Sequence, residues 1–252
     1  MTTRTESPMP ARASHARTRL VAALAAAAIL LPTLAACGDA PIEPEPTPVT
    51  GAGELVVEDR TDGPVERISV GADVTVLMKT GDATNVLVRG EPNVVPLVVT
   101  ETVDGQLIVN VPIPGYVTQQ RVVIEVTTPT IESVSMSAGA TGSLELVAEV
   151  LNLDLSGEAE IIGVGRVDAL TLTASSSAVI DFTAMTVGNA TVNLSEGAEA
   201  TLIVEGDLTG QASGGATIQL PEAPASVAVE TTSGASMQGA GAPPEEGAPP
   251  AG

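Results

Sequence analysis

Carboxylates are the most abundant side chains in this sequence that can take part in chemistry. The 252-residue chain has 31 Asp and Glu residues against 10 Lys and Arg, a formal net charge of -21. Glycoside hydrolysis uses two positioned carboxylates, and close pairs occur at Glu158/Glu160 and Glu196/Glu199. In so acidic a chain such pairs are expected by chance, as parts of a solvated face. We therefore predict no catalytic residues.

Other side chains capable of chemistry are scarce. His15 is the only histidine and Cys37 the only cysteine, which excludes a Ser-His-Asp triad, a disulfide framework and a His- or Cys-ligated zinc site within this chain. The calcium repeat of solenoids and the EF-hand loop are absent. Arg166 is the only cation between residues 122 and 252, which argues against lyase chemistry, and the acidity opposes nucleic-acid binding. We expect no metal, no cofactor and no nucleic-acid partner.

Cys37 has the most specific predicted chemistry. A basic start with four arginines precedes the apolar, Ala-rich run Leu20–Leu34. That run is shorter than the roughly 20 residues of a membrane-spanning helix and is typical of a secretory signal peptide. Residues 34–38 read LAACG, which resembles the bacterial lipobox, where the cysteine is lipidated and the chain is cut just before it. We predict a signal peptide at residues 1–36 and lipidation of Cys37; an ordinary signal peptide cleaved after Ala36 is the alternative.

The predicted lipid places the protein on a membrane outside the cytoplasm. Two acyl chains, at about 0.8 kcal/mol per buried CH₂, hold a protein on a bilayer where one does not. Loss of residues 1–36 removes four Arg and one Glu, leaving 6 basic and 30 acidic residues, a net of -24. That charge repels anionic headgroups. We expect an exported protein, lipid-anchored to the outer face of the cytoplasmic membrane or to the outer membrane.

Proline-rich segments flank the predicted body. Residues 37–53 hold four prolines and predict a semi-rigid, extended linker that begins at the lipidated cysteine. Residues 240–252 hold four more, without periodic apolar residues, and predict a disordered tail. The folded domain is therefore assigned to residues 54–239.

Within the body the sequence predicts strand after strand. Short runs that alternate apolar and polar residues are separated by Gly, Pro, Asp and Asn, the pattern of half-buried strands. Asp104-Gly105 predicts a two-residue hairpin turn. The only aromatic residues are Phe182, expected in the core, and Tyr116, a loop residue that could contact a partner. The clearest predicted strands are residues 68–70, 74–78, 85–88, 107–111 and 122–126.

The second half of the chain repeats about every 19 residues. An alanine recurs at intervals of 18 to 20 residues, each preceded by a hydroxyl residue three positions earlier; these are Ala140, Ala159, Ala178, Ala198, Ala216 and Ala235. A unit this short cannot enclose a core, so stacked units must bury one another's apolar faces. We predict an all-β fold, a parallel β-solenoid of roughly ten coils about 4.8 Å apart. Hydrogen-bonded hydroxyls should form a ladder along the corners. A β-sandwich with coincidental spacing is the alternative.

The opening of the body resembles a known bacterial family. Residues 68–76 (ISVGADVTV), 86–98 (VLVRGEPNVVPLV) and 104–109 (DGQLIV), with Ser-Gly-x-Ala corners such as Ser156–Ala159, are similar to the "putative auto-transporter adhesin, head GIN domain" family. The resemblance covers roughly residues 65–238 and implies a right-handed β-helix on an exported or lipid-anchored envelope protein. The molecular function of that family is largely unassigned. Ser175-Ser176-Ser177 departs from the family's glycine-rich corners, which predicts a looser corner there.

These observations favour a non-catalytic envelope protein with a binding, adhesion-like or structural role. The expected partners are the membrane, through the lipid on Cys37, and an envelope or extracellular protein or glycan. Two alternatives stay open: an envelope-stress or assembly accessory without an external ligand, and a glycan-active β-helix enzyme.

Overall fold

Alternation of apolar and polar residues produces 18 strands and one short 3₁₀ turn, Val95–Leu97, in the part of the chain that this computed structural model describes, residues 47–112 and 115–240. Cys37, the predicted signal peptide and the predicted tail beyond residue 240 lie outside the described residues. The strands are β1 Val49–Thr50, β2 Val56–Asp59, β3 Arg67–Val70, β4 Thr75–Thr80, β5 Asn85–Gly90, β6 Val99–Val103, β7 Gln106–Asn110, β8 Tyr116–Val117, β9 Val123–Thr128, β10 Ser133–Met136, β11 Thr141–Leu155, β12 Glu160–Ala174, β13 Val179–Leu194, β14 Glu199–Val204, β15 Asp207–Ala212, β16 Thr217–Leu220, β17 Ser226–Thr231 and β18 Ser236–Gly239.

Most strands pair in parallel and form two walls that meet at a corner. Wall A contains the strand before each corner and wall B the strand after it. Strands β11, β12 and β13 are long because each crosses wall B of one rung, bends, and continues in wall A of the next. In the part of the chain that is described, the stack has eight rungs, which are β7 with β9, β3 with β4, β10 with β11, β11 with β12, β12 with β13, β13 with β14, β15 with β16, and β17 with β18.

The strand register confirms the repeat that the sequence predicts. Thr141, Glu160 and Val179 lie side by side on neighbouring rungs, and the column continues through Glu199 and Thr217. Each of these residues follows one of the predicted corner alanines, so the alanines themselves stack. All of them are fully buried except the last, Ala235, which is half-buried. The prediction of a β-solenoid with coils of about 19 residues is confirmed.

Each repeated corner is a four-residue turn. The alanine N–H donates to the carbonyl of the hydroxyl residue three positions earlier, at 3.0 to 3.2 Å in all six corners. Both central residues have positive φ, for example 57° at Gly157 and 63° at Glu158; two consecutive left-handed residues define a type I′ turn. Such turns change the direction of the chain within two residues. The space inside the turn is therefore small, and alanine is the side chain that fills it.

Neighbouring corners are joined by hydrogen bonds between backbone N–H and C=O groups, so the predicted ladder of hydrogen-bonded hydroxyls is wrong. The amide of Gly139 donates to the carbonyl of Gly157, and Glu158 to Ser176, at 2.8 and 3.0 Å; similar bonds link the following corners. Within the described chain, the corner hydroxyls form no hydrogen bonds with one another, and Ser137 Oγ instead donates to Val70 O at 3.4 Å. The hydroxyls are half-exposed or exposed, where water can satisfy them.

The first half of the chain builds fewer rungs than the repeat length predicts. Of its strands, only β3, β4, β7 and β9 form rungs, and they stack out of chain order, because β3 lies between β7 and β10. Strands β2, β5 and β6 pair antiparallel and cover this end of the stack. Within the described residues the solenoid therefore has eight rungs instead of roughly ten, and seven steps of about 4.8 Å make this stack about 34 Å long.

Phe182 fills the core, as predicted. Its side chain is fully buried beside Gly163 of the rung below, where an added Cβ would lie 2.5 Å from the ring. Aliphatic residues of the other rungs occupy the rest of the interior. A narrow coil has room for one ring only if the neighbouring rung has no side chain at that point.

Residues at the end of the predicted linker contact the body. Val49 and Thr50 pair in parallel with Tyr116 and Val117, and the Ala52 amide donates to Asn93 Oδ1 at 2.9 Å.

Candidate interaction surface

Wall B carries exposed aliphatic side chains on its outer face. The alternation that buries every second residue of β4, β11 and β12 leaves the intervening side chains in solvent. Four of these are large and apolar, and together they define the wall B patch: Leu77 (41% exposed), Val147 (76%), Ile162 (52%) and Val164 (45%).

Strand register places the four patch residues on one face, with polar residues among them. Ser143 lies between Leu77 and Ile162 on successive rungs. Val164 lies beside Glu145 and two residues along the strand from Ile162. Because every rung is hydrogen-bonded to the next, these side chains have fixed spacing, about 4.8 Å between rungs. Exposed apolar side chains grouped on one rigid face make this part of wall B the candidate interaction surface.

A groove of about 550 Å³ borders the patch where β11 bends. Its exposed apolar residues include Val147 and Val150, the latter 51% exposed, and its carboxylates are Glu132 and Glu149. Two consecutive exposed residues, Glu149 and Val150, mark the bend at which the alternation of buried residues reverses. The full lining is Thr80, Pro129, Thr130, Ile131, Glu132, Val147, Ala148, Glu149, Val150 and Asn152.

The groove is lined by aliphatic and acidic residues, and there is no cation among its lining residues. Arg166 lies beside Val147 on the next rung but is bonded to two carboxylates, Asp168 at 3.3 Å and Glu205 at 3.0 Å. The hydrogen bond and charge of Glu205 raise the pKa of the guanidinium above its ordinary value. A groove of this composition suits aliphatic side chains and the stems of lysine or arginine, which pair an apolar stem with a positive head.

The carboxylates that the sequence singles out do not form a common site. Glu160 and Glu199 lie in one column, but Val179 occupies the rung between them, as the repeat predicts. Glu158 and Glu196 are central residues of two different corners, and Ser176 Oγ donates to the carboxylate of Glu196 at 2.8 Å. In the described segments, no three Asp, Glu, His or Cys side chains gather as a potential metal site.

Tyr116 is half-buried and bonded to the body. Its hydroxyl donates to the carbonyl oxygen of Asp73 at 3.4 Å. Burial, and then the charge of Asp73, raises the pKa of Tyr116 to about 12. The Asp73 carboxylate also pairs with Arg121 at 3.0 Å. Tyr116 therefore joins the turn between β3 and β4, which contains Asp73, to the pair of strands β1 and β8.

The sequence analysis missed both the patch and the groove. A usable signal existed in Ile161-Ile162, since two adjacent apolar residues in an alternating strand must place one of them outside. Nothing comparable marks the groove, because it depends on how Pro129–Glu132 passes the bend of β11.

No helix within residues 47–112 and 115–240 is long and apolar enough to cross a membrane. The predicted lipidation site, Cys37, lies before these residues and stays a prediction.

Comparisons with known proteins agree with this architecture. A family model described as "Putative auto-transporter adhesin, head GIN domain" matches residues 65–224. The chain is similar to the solved structure of a "putative adhesin" from Bacteroides fragilis NCTC 9343, at a TM-score of 0.60 and 13% identity, over 76% of this chain and 99% of that one. A second "putative adhesin", from Parabacteroides merdae ATCC 43184, has a TM-score of 0.50 and 14% identity over 77% and 99% of the two chains. No curated protein matches in sequence.

Proposed function

The chain belongs to the "putative auto-transporter adhesin, head GIN domain" family, and on that premise we propose that it is a non-catalytic, lipid-anchored envelope module that binds through wall B. The family description favours an envelope or extracellular site of action. Cys37 supplies the membrane attachment in this proposal, and the solenoid supplies a rigid surface for a protein or glycan partner.

The wall B patch is the observation that carries the binding role. Ile162 and Val164 occupy outward positions that a freely solvated strand would fill with polar residues. The groove adjoins the same wall, and its Glu132 and Glu149 add negative charge beside apolar surface. The surface thus favours a partner with aliphatic groups and positive charge over an acidic glycan.

A binding experiment with immobilised protein tests this role. The chain from residue 38 onward, which contains the whole described body, is offered envelope fragments of the producing bacterium. We expect retention that falls at least about tenfold when Ile162→Lys and Val164→Lys are combined, because the apolar contact is lost and the added positive charge repels a cationic partner. Val103→Lys, an equally exposed valine on β6, is the matched control. Equal retention by all three proteins would refute binding through wall B.

The anchor is tested separately in the full chain. Cys37→Ala removes the thiol that carries the two acyl chains. We therefore expect the variant to incorporate no labelled fatty acid and to move from the membrane fraction to the soluble fraction. Incorporation of labelled fatty acid into the wild-type chain is the direct readout. A Cys37→Ala variant that still carries labelled lipid would contradict the proposal.

A further inference from the structure

The two ends of the stack differ. At one end, antiparallel strands of the same chain cover the rungs: β6 pairs with β7 in wall A, and β5, followed by β2, extends wall B beyond β9. At the other end, β17 pairs only with β15 and β18 only with β16 in the part of the chain that is described. We propose that a second copy of this chain pairs with the open edge of β17.

Among the described residues, the outer edge of β17 has backbone groups without a partner. In parallel strands, the N–H and C=O of alternate residues point to the same neighbouring strand. The Thr232 amide donates to Ala212 O at 2.9 Å, so even-numbered residues bond back to the stack. Val227, Val229 and Thr231 therefore direct their N–H and C=O groups outward. An edge of this kind is a template for another strand.

The edge is also apolar and weakly charged. Val227 is only half-buried, whereas its partner on the preceding rung, Leu208, is fully buried. Val229 is half-buried for the same reason, since no rung of the described chain covers it. The last rung, residues 226–239, carries a single charged side chain, Glu230, in a protein that is otherwise strongly acidic. Charge repulsion between copies is therefore weakest at this end.

The chain's own C-terminal residues are poor candidates for covering this edge. The 12 residues after Ala240 include Pro243, Pro244, Pro249 and Pro250, and proline has no N–H to donate to a ladder. A second copy instead offers an identical edge of six residues without proline. Two such edges pair antiparallel about a two-fold axis, the usual symmetry of homodimers.

A register centred on Val229 matches the edge to itself. The outward-directed groups of Val227 then meet those of the partner's Thr231, and Val229 meets the partner's Val229. Glu230 lies opposite the partner's Ala228, so the carboxylates of the two copies are not directly opposed. The pairing forms six main-chain hydrogen bonds over a small area, which makes the dimer weak and concentration-dependent.

Charge substitutions at Ala228 test the register. Ala228 is exposed, so a change there leaves the core intact. In sedimentation experiments on residues 38–252, we expect a concentration-dependent dimer that Ala228→Glu weakens and Ala228→Lys strengthens, each about fivefold, through the charge on the partner's Glu230. The matched controls are Ala184→Glu and Ala184→Lys, on an exposed position of β13, which should leave dimerisation unchanged.

A proline on the edge tests the main-chain pairing. Thr231→Pro removes an outward N–H from each copy but no hydrogen bond of the stack, so it should raise the dissociation constant about thirtyfold with an unchanged circular dichroism spectrum. A wild-type chain that stays monomeric at every concentration would overturn the proposal, as would a dimer indifferent to both Ala228 substitutions. A monomer that dimerises only after removal of residues 241–252 would show that the chain's own tail covers the edge, and would also overturn it.

Discussion

Replacing Ser177 with glycine should stabilise the protein. Ser176 and Ser177 are the central residues of their corner, with φ of 53° and 61°, and this corner has no glycine. The second central position is glycine in four of the six corners, at Gly139, Gly197, Gly215 and Gly234, with φ of 73° to 80°. Left-handed backbone costs an ordinary L-residue roughly 1–2 kcal/mol.

The expected gain is a difference between two terms. Glycine removes the left-handed cost but loses roughly 0.4–1 kcal/mol through the greater freedom of the unfolded chain. Ser177 is exposed and its hydroxyl forms no hydrogen bond within the described chain, so nothing else is lost. The net gain in the free energy of unfolding is about 0.5–1 kcal/mol, or about 2 °C in Tm for a domain of this size.

Urea unfolding of Ser177→Gly and Ser177→Ala measures this gain. Alanine keeps the Cβ and therefore the strain, so only glycine should raise the midpoint at unchanged m-value. The reciprocal change is Gly197→Ala, where the nearest atom to the new Cβ is Ser177 Oγ at 3.6 Å. Because this distance is an ordinary contact, the variant should lose only the cost of the left-handed backbone, a similar amount of free energy of unfolding. Equal stability of the Gly and Ala variants at position 177 would refute the argument from corner strain.

Three further results are expected. Gly163→Ala should destabilise the protein by about 1–3 kcal/mol, since its Cβ would lie 2.5 Å from the Phe182 ring, and Phe182→Leu should reduce that cost in a double-mutant cycle. Tyr116 is the only tyrosine in a chain without tryptophan, so its ionisation can be followed by ultraviolet absorbance, and we expect a pKa of about 12. This raised pKa adds stability that is fully present below pH 10 and is lost as the pH rises through 12. A measured pKa near 10 would contradict the burial of Tyr116. Hydrogen bonds from the Thr183 side chain and amide lower the pKa of Asp181 below 3.8. This group therefore adds stability that is present above pH 3.8 and is lost as the pH falls through the lowered pKa. Thr183→Ala should move the Asp181 pKa, measured by NMR, back towards 3.8.

Local patterns in the sequence are sufficient to predict the rungs. The 19-residue spacing places Ala140, Ala159 and the later alanines in one column because parallel strands keep register from rung to rung. Asp104-Gly105 forms the expected hairpin between β6 and β7, with both residues at positive φ. Each of these features depends on residues close in sequence or on an exact repeat.

Features that depend on the order of strands in space could not be predicted. Nothing in the sequence states that β3 lies between β7 and β10, because all three strands have the same alternation. The groove beside Val150 follows from that arrangement and from the bend of β11. The hydroxyl ladder was wrong because a type I′ corner turns its amides towards the next rung, so backbone carbonyls accept the bonds assigned to side chains.

Distances along one column of wall B test the account most directly, because the patch and the open edge both depend on the stacking of one rung on the next. Spin labels at Thr75 and Glu199 are four rungs apart, and labels at Thr75 and Thr217 are five rungs apart. Pulsed electron paramagnetic resonance on residues 38–252 should give backbone separations near 19 and 24 Å, an increase of about 4.8 Å for the added rung. Separations that do not grow with the number of rungs would contradict the stacked solenoid and the binding surface built on it.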